Sequence, residues 1–221
     1  MDTEVGMSSF IDEISDFWGA PYKSIPIPAE RYEKYRGIVP DLLLEVWRNF
    51  GFSGFQDGAV WLCDPDAWQP IVDAWTANLS LATGPDEWLA VTRTAFGHMT
   101  LWGRRTGMSL HIVPYRGWIV FDDCSAEMGT GEDRDIQVQA ALWTMSSEYA
   151  EVIGDDEKPL FPRLLKDLGP IDADTVYGFV PAPALGGAMI PRAAEILDAN
   201  SYLQLLNEVT GRTVMAENPY N

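Results

Sequence analysis

Apolar positions along the chain fall first at helical spacing, then at strand spacing, then at helical spacing again. Phe10, Ile11, Ile14, Phe17 and Trp18 recur every three or four residues, which predicts a helix capped by Ser8 or Ser9 and ended by Gly19. The prolines of "PYKSIPIPAERYEKYRGIVP" impose extended backbone around Ile25 and Ile27, with room for a short helix over 29–36. A clearer helix follows in "PDLLLEVWRNFG", where Pro40 suits the first turn, Gly51 the end, and Leu43, Val46, Trp47 and Phe50 form a stripe. "GAVWLCDPDAWQPIVDAWTANL" reads as a short strand and then a helix capped by Asp64 or Asp66, with Trp68, Ile71, Val72 and Trp75 inward.

The period then changes to two. "EWLAVTRTAF", "HMTLWGRR", "SLHIVPY" and "GWIVFDD" are strand-like, and the connectors "FGH", "RRTG" and "YRG" are short enough for an antiparallel meander. Trp88, Trp102 and Trp118 are expected on the sheet face that helices cover. Beyond a loop at "CSAEMGTGEDRD", the stretch "DIQVQAALWTMSSEYAEVI" predicts one long helix, and Leu164, Leu165 and Leu168 predict a short one. "VYGFVPAPALGG" reads as an edge strand, because its prolines forbid pairing on at least one side. The chain closes with "IPRAAEIL" and "ANSYLQLLNEVTG", whose Tyr202, Leu205, Leu206 and Val209 repeat at helical spacing before Gly211, and the tail "RTVMAENPYN" is expected to be loose. The fold class is therefore α+β: an antiparallel sheet flanked by helices, followed by a mostly helical C-terminal subdomain.

Composition narrows the functional classes. The 221 residues are 47% hydrophobic and include 9 Trp, enough for a packed core. No apolar run approaches the roughly 18 residues of a membrane span, and the acidic N-terminus is unlike a signal peptide, so a cytoplasmic protein is expected. Cys63 and Cys124 fit reduced thiols in that compartment. The net charge is −18, and residues 122–174 hold 14 Asp and Glu against 4 Lys and Arg. That balance argues against direct contact with nucleic acid or an anionic membrane. Solubility explains it without any partner; complementarity to a basic protein is the functional alternative.

Candidate chemistry is sparse. His98 and His111 are the two histidines and fall in neighbouring expected strands, where a pair could bind a metal or move a proton, although no Asp or Glu in those strands completes a triad. There is no phosphate-binding glycine loop and no nucleophile elbow. Cys124 sits among carboxylates that raise its pKa. The pairs Asp122–Asp123 and Asp155–Asp156 are expected by chance among 33 acids. No motif implies a cofactor, a metal or a catalytic residue. A small-molecule- or metal-binding enzyme using His98 and His111, or a housekeeping interaction module, stand as alternatives to the reading below.

One motif has a family likeness. The pattern D-x-x-YGF-x-P-A-x-A-L-GG, carried by Asp174, Tyr177, Gly178, Phe179, Pro181, Leu185, Gly186 and Gly187, resembles the C-terminal domain of immunity proteins against type VI secretion DNase effectors, and the likeness continues through "SYLQLLNEVTG". Residues Tyr22 to Trp68 resemble the GAD-like domain that accompanies it, and "IVPDLLLEVWRNFGF" is also similar to SUKH-type immunity proteins. The resemblance divides the chain into a GAD-like domain at 8–121, an acidic connecting loop at 122–134, an immunity-family domain at 135–211 and a loose tail at 212–221. It implies a non-catalytic inhibitor that binds a cognate secreted nuclease toxin, a protein expected to carry a basic surface. Acidic residues of the middle segment, Asp122, Asp123, Glu132, Asp133, Asp155, Asp156 and Glu157, are then the candidate contacts, while the motif residues are structural.

Overall fold

The computed structural model describes residues 2–215. Its elements are α1 (Asp2–Trp18), α2 (Ala29–Tyr35), α3 (Asp41–Phe50), β1 (Gly54–Phe55), β2 (Val60–Leu62), α4 (Pro65–Thr76), β3 (Trp88–Thr94), β4 (Met99–Gly103), β5 (Gly107–Val113), β6 (Trp118–Phe121), α5 (Gly131–Trp143), α6 (Phe161–Leu168), β7 (Thr175–Phe179), β8 (Ala194–Asp198), α7 (Ala199–Val209) and β9 (Thr213–Met215). A seven-stranded sheet runs in the order β1-β2-β3-β4-β5-β6-β9. Every pairing in it is antiparallel except the last, where β9 lies parallel to β6 with Trp118 opposite Thr213. β7 and β8 form a separate antiparallel pair. The fold is α+β, as the change of period along the chain requires.

Two cores sandwich the sheet, because alternate residues of each strand face opposite ways. One lies under α1, α3, α5 and α6 and contains Ile14, Trp47, Val91, Trp102, Val138 and Leu164. The other lies under α4 and α7 and contains Trp75, Ala90, Leu101, Leu110, Ile112 and Leu206. Both take residues from the first half of the chain and from the last third. Buried polar contacts tie these parts together. Pro40 offers α3 no capping side chain, and the Asp135 carboxylate on α5 accepts from the Leu42 amide instead, at 3.1 Å. The buried Arg93 guanidinium lies 4.8 Å from the Trp61 ring and 5.1 Å from the Trp68 ring and donates to the Asp172 carbonyl at 2.6 Å. The Trp75 indole donates to the Leu203 carbonyl at 3.0 Å.

Several expectations are corrected. α1 starts at Asp2, so Ser8 and Ser9 are inside the helix, and the Ser9 hydroxyl bonds Glu13 at 2.9 Å. Trp88 and Trp102 do not share a face. One enters each core, while Trp118 is half-buried at the sheet margin. α5 begins at Gly131, inside the expected connecting loop, and stops at Trp143 rather than running on to 153. The Thr144 hydroxyl turns back to the Ala141 carbonyl, and the Gln56 side chain takes the Ser147 amide, which diverts the backbone from helical pairing. "AEILD" is strand β8, because it pairs along β7, so the C-terminal part is less helical than its composition implies. Thr213–Met215 belongs to the sheet, not to a loose tail; residues 216–221 of that expected tail lie outside the described residues.

Candidate functional site

On the face of the sheet beneath α5, strands β4 to β6 are left partly uncovered, and the irregular segment after α5 crosses them. Tyr149, in that segment, lines two hollows. One, of about 590 Å³, is bounded by Met108, His111, Val120, Asp122, Cys124 and the α5 residues Gln137, Ala140 and Ala141. The other, of about 340 Å³, is bounded by Thr94, His98, Tyr115, Arg116, Trp118 and residues 149–153. The two histidines meet here because antiparallel register sets Thr100 opposite His111 and His98 just precedes β4. Their rings are 6.4 Å apart at 73°, and the Tyr149 ring is 5.5 Å from His98. Thr100 Oγ1 lies 3.2 Å from His111 Nδ1. At the far end the Arg116 guanidinium sits 4.8 Å from the Trp118 ring and 5.5 Å from the Tyr115 ring.

Burial keeps the ionisable groups of this groove in their neutral forms. Burial, followed by the neighbouring His111, pushes His98 down to about 3. Burial also lowers His111, with Asp122 pulling the other way. Both imidazoles are therefore neutral near pH 7. The Cys124 thiol is pushed up to about 11 by burial and then by Asp122, Glu127 and Asp123, which suppresses the nucleophilic thiolate. Burial raises the Tyr149 phenol as well. Two neutral histidines would suit a transition metal as ligands, but among the described residues no three of His, Cys, Asp and Glu come together as a ligand set.

The acidic candidates are mostly engaged in local structure. Asp133 forms a reciprocal cap with Thr130 at the start of α5. Asp123 accepts from the Ser125 amide at 3.0 Å, and Asp155 from the Met189 amide at 2.8 Å. Asp156 forms a two-pronged pair with Arg163 at 2.7 and 3.0 Å, which holds its carboxyl below the usual range. Glu157 is exposed in the left-handed region with φ 60°. Glu132 is exposed on the first turn of α5, and Asp122 lines the groove. The structure thus brings Asp122 to His111 and Cys124, whereas Asp155, Asp156 and Glu157 belong to a separate turn closed by the Gly154 amide on the Lys158 carbonyl.

The motif residues explain themselves by packing. Tyr177 donates to the Gly169 carbonyl at 2.6 Å, and its ring contacts Phe96 and Phe161. The Asp174 carbonyl takes the first amide of α7, Ala199, at 2.8 Å. A side chain at Gly178 would start 2.7 Å from the Tyr202 ring, and the Tyr202 hydroxyl accepts from the Phe179 amide at 3.0 Å. At Gly187 a Cβ would fall 1.7 Å from the Pro181 carbonyl oxygen, so only glycine closes that turn. Pro181 follows a cis peptide bond, Gly186 is left-handed, and Leu185 is exposed. Sequence reasoning missed Tyr149 and Arg116 as groove residues. Tyr149 lies in a stretch whose period predicts helix, and only its arrival over His98, beyond the end of α5, distinguishes it.

Comparison with known proteins now gives these features a context. Residues 7–115 match the GAD-like domain, and residues 141–210 match the C-terminal domain of the T6SS immunity protein Tdi1. No curated protein matches the sequence. Among solved structures, Atu4351 from Agrobacterium tumefaciens superposes with a TM-score of 0.80 at 20% identity, covering 93% of this chain and 92% of that one, and so shares its fold. The groove lies where the two matched segments meet, with His98, His111 and Tyr115 from the first and Tyr149 to Ile153 from the second. The chain thus joins a segment that matches the GAD-like domain to one that matches the C-terminal domain of the T6SS immunity protein Tdi1.

Proposed function

We propose that this chain is a cytoplasmic immunity protein that neutralises a cognate secreted DNase toxin by protein–protein contact and carries no catalytic activity of its own. The observation that carries the reading is the match of residues 141–210 to an immunity-protein domain packed into both cores of the molecule. The charge of −18 supports a basic partner, because a nuclease that grips phosphate needs cationic side chains around its site. Neutral histidines and protonated thiols support binding over turnover. Acidity also makes direct binding to nucleic acid unfavourable, so inhibition acts on the toxin, not on its substrate.

Co-expression with a candidate type VI DNase toxin tests the proposal. The expected result is a complex that co-purifies and leaves plasmid DNA intact, where the toxin alone degrades it. Plasmid degradation at the same rate with and without this chain would reject it.

A further inference from the structure

Trp143, Phe17 and Ile136 are large apolar residues left substantially in water, at 39%, 40% and 54% exposure. They are not scattered. Trp143 and Phe17 pack ring against ring at 5.1 Å and 61°, and Phe10 holds the other side of the indole at 6.1 Å and 87°, so the exposed aromatic pair is rigid. Ile136, Ala140 and Trp143 follow one another on the outward side of α5, while Val138 and Leu142 on its inward side are buried. Ala140 also lines the wall of the larger hollow, so this strip is continuous with the groove described above.

The surroundings of the strip select its occupant. From Met7 to Trp18, α1 carries Asp12, Glu13 and Asp16, all exposed, and no Lys or Arg. Glu132 stands one turn before Ile136 on the same side of α5 and is exposed. Arg134, the one base in α5, has its guanidinium turned back to the Thr130 carbonyl at 3.2 Å. An apolar strip rimmed by acids repels nucleic acid and other acidic surfaces and attracts a basic one. Rigid aromatics at its centre are the residue types that anchor protein interfaces.

We infer that the strip Ile136–Ala140–Trp143–Phe17 is the surface on which a basic protein partner docks, its cationic side chains meeting Glu13, one turn before Phe17 on α1, Asp16 and Glu132. This rests on the immunity reading, in which that partner is the DNase toxin. It places the main contact on α1, in the first matched segment, and on α5, which leads into the second, and not on the 155–157 turn.

The test uses the full chain and a catalytically inactive form of the candidate DNase toxin, with association and dissociation followed on a sensor surface at low and at physiological salt. Glu13→Lys/Asp16→Lys reverses two exposed charges beside the strip. Asp73→Lys/Glu208→Lys makes the same change in net charge from α4 and α7, on the opposite face of the sheet. The first pair should slow association about tenfold at low salt, and the second pair distinctly less. Ile136→Asn removes an exposed apolar contact without opening the core and should speed dissociation with little effect on association. Wild-type binding with equal slowing by both charge pairs, or with no effect of either pair and of Ile136→Asn, would overturn the surface and leave the immunity reading standing. No binding by the wild-type chain would overturn the immunity reading and this surface with it.

Discussion

Acid should destabilise this protein well above the range in which carboxylates titrate, and His98 is the reason. Its ring is buried beside His111 and Tyr149 and is held neutral, with its pKa pushed down to about 3. In the unfolded chain the same imidazole titrates at about 6.5. Between these values the unfolded state binds a proton that the folded state refuses, so stability falls as pH drops. From pH 7.5 to pH 5 the linkage amounts to about 2 kcal/mol for this one residue. The figure depends little on how far below 5 the folded value lies, because the unfolded state sets it. His111 is lowered too and adds in the same direction. The depressed carboxylates Asp66, Asp156, Asp172 and Asp198 act at lower pH, since their stabilisation is lost as pH falls through their folded values from an unfolded value near 3.8. Urea unfolding of the wild type and of His98→Asn at pH 7.5 and at pH 5 isolates the effect. Whatever the substitution costs at neutral pH, the variant should lose about 2 kcal/mol less than the wild type on acidification. Parallel losses in the two proteins would mean that His98 is protonated in the folded state, and the account of a neutral groove would be wrong.

Other outcomes follow from the same contacts. Asp135→Ala removes the carboxylate that caps α3 from α5 and should cost about 1–2 kcal/mol in urea unfolding; a change within error would show that the Leu42 amide finds another acceptor. Gly178→Ala forces a methyl against the Tyr202 ring and Leu197 and should cost about 1–3 kcal/mol, most simply read as a lowered Tm, whereas an unchanged Tm would mean that α7 shifts freely. A thiol reagent at pH 8 should modify half-buried Cys124 slowly and Cys63, whose pKa burial pushes up to about 12, only after denaturant is added. Two thiols reacting at one rate in the native protein would contradict the burial of Cys63.

The sheet was legible because period two is a local signal. Residues 88–121 alternate and turn within a few positions, and their antiparallel pairing follows almost directly. The cap of α4 was narrowed to Asp64 or Asp66 for the same reason: the bond is local, and the Asp64 carboxylate takes the Asp66 amide two residues away. What could not be read depends on distant partners. "AEILD" has helix formers and becomes a strand because β7 offers it five backbone partners. Thr213–Met215 looks like a frayed end until the edge of β6 is placed beside it. Phe17 and Trp143 have the spacing of core residues, and only the crossing of α1 and α5 shows that part of each ring stays outside. The histidine pair was visible as neighbouring strands, but its neutrality was not, since burial is a property of everything packed above it. The acids were visible as charge, yet Asp123, Asp133, Asp155 and Asp156 prove to be holding turns and helix ends.

The parallel strand β9 has a consequence for how the molecule comes into being. β6 is made nearly a hundred residues before the strand that covers its outer edge, and an uncovered edge is a template for pairing with any other extended chain. A nascent chain therefore carries a sticky margin until residues 213–215 follow, and its lifetime in that state is set by the speed of translation. In a cell producing many copies on one messenger, neighbouring ribosomes present the same open margin to one another. Docking of those three residues closes the β6 margin over Trp118–Val120 and leaves a shorter edge in its place.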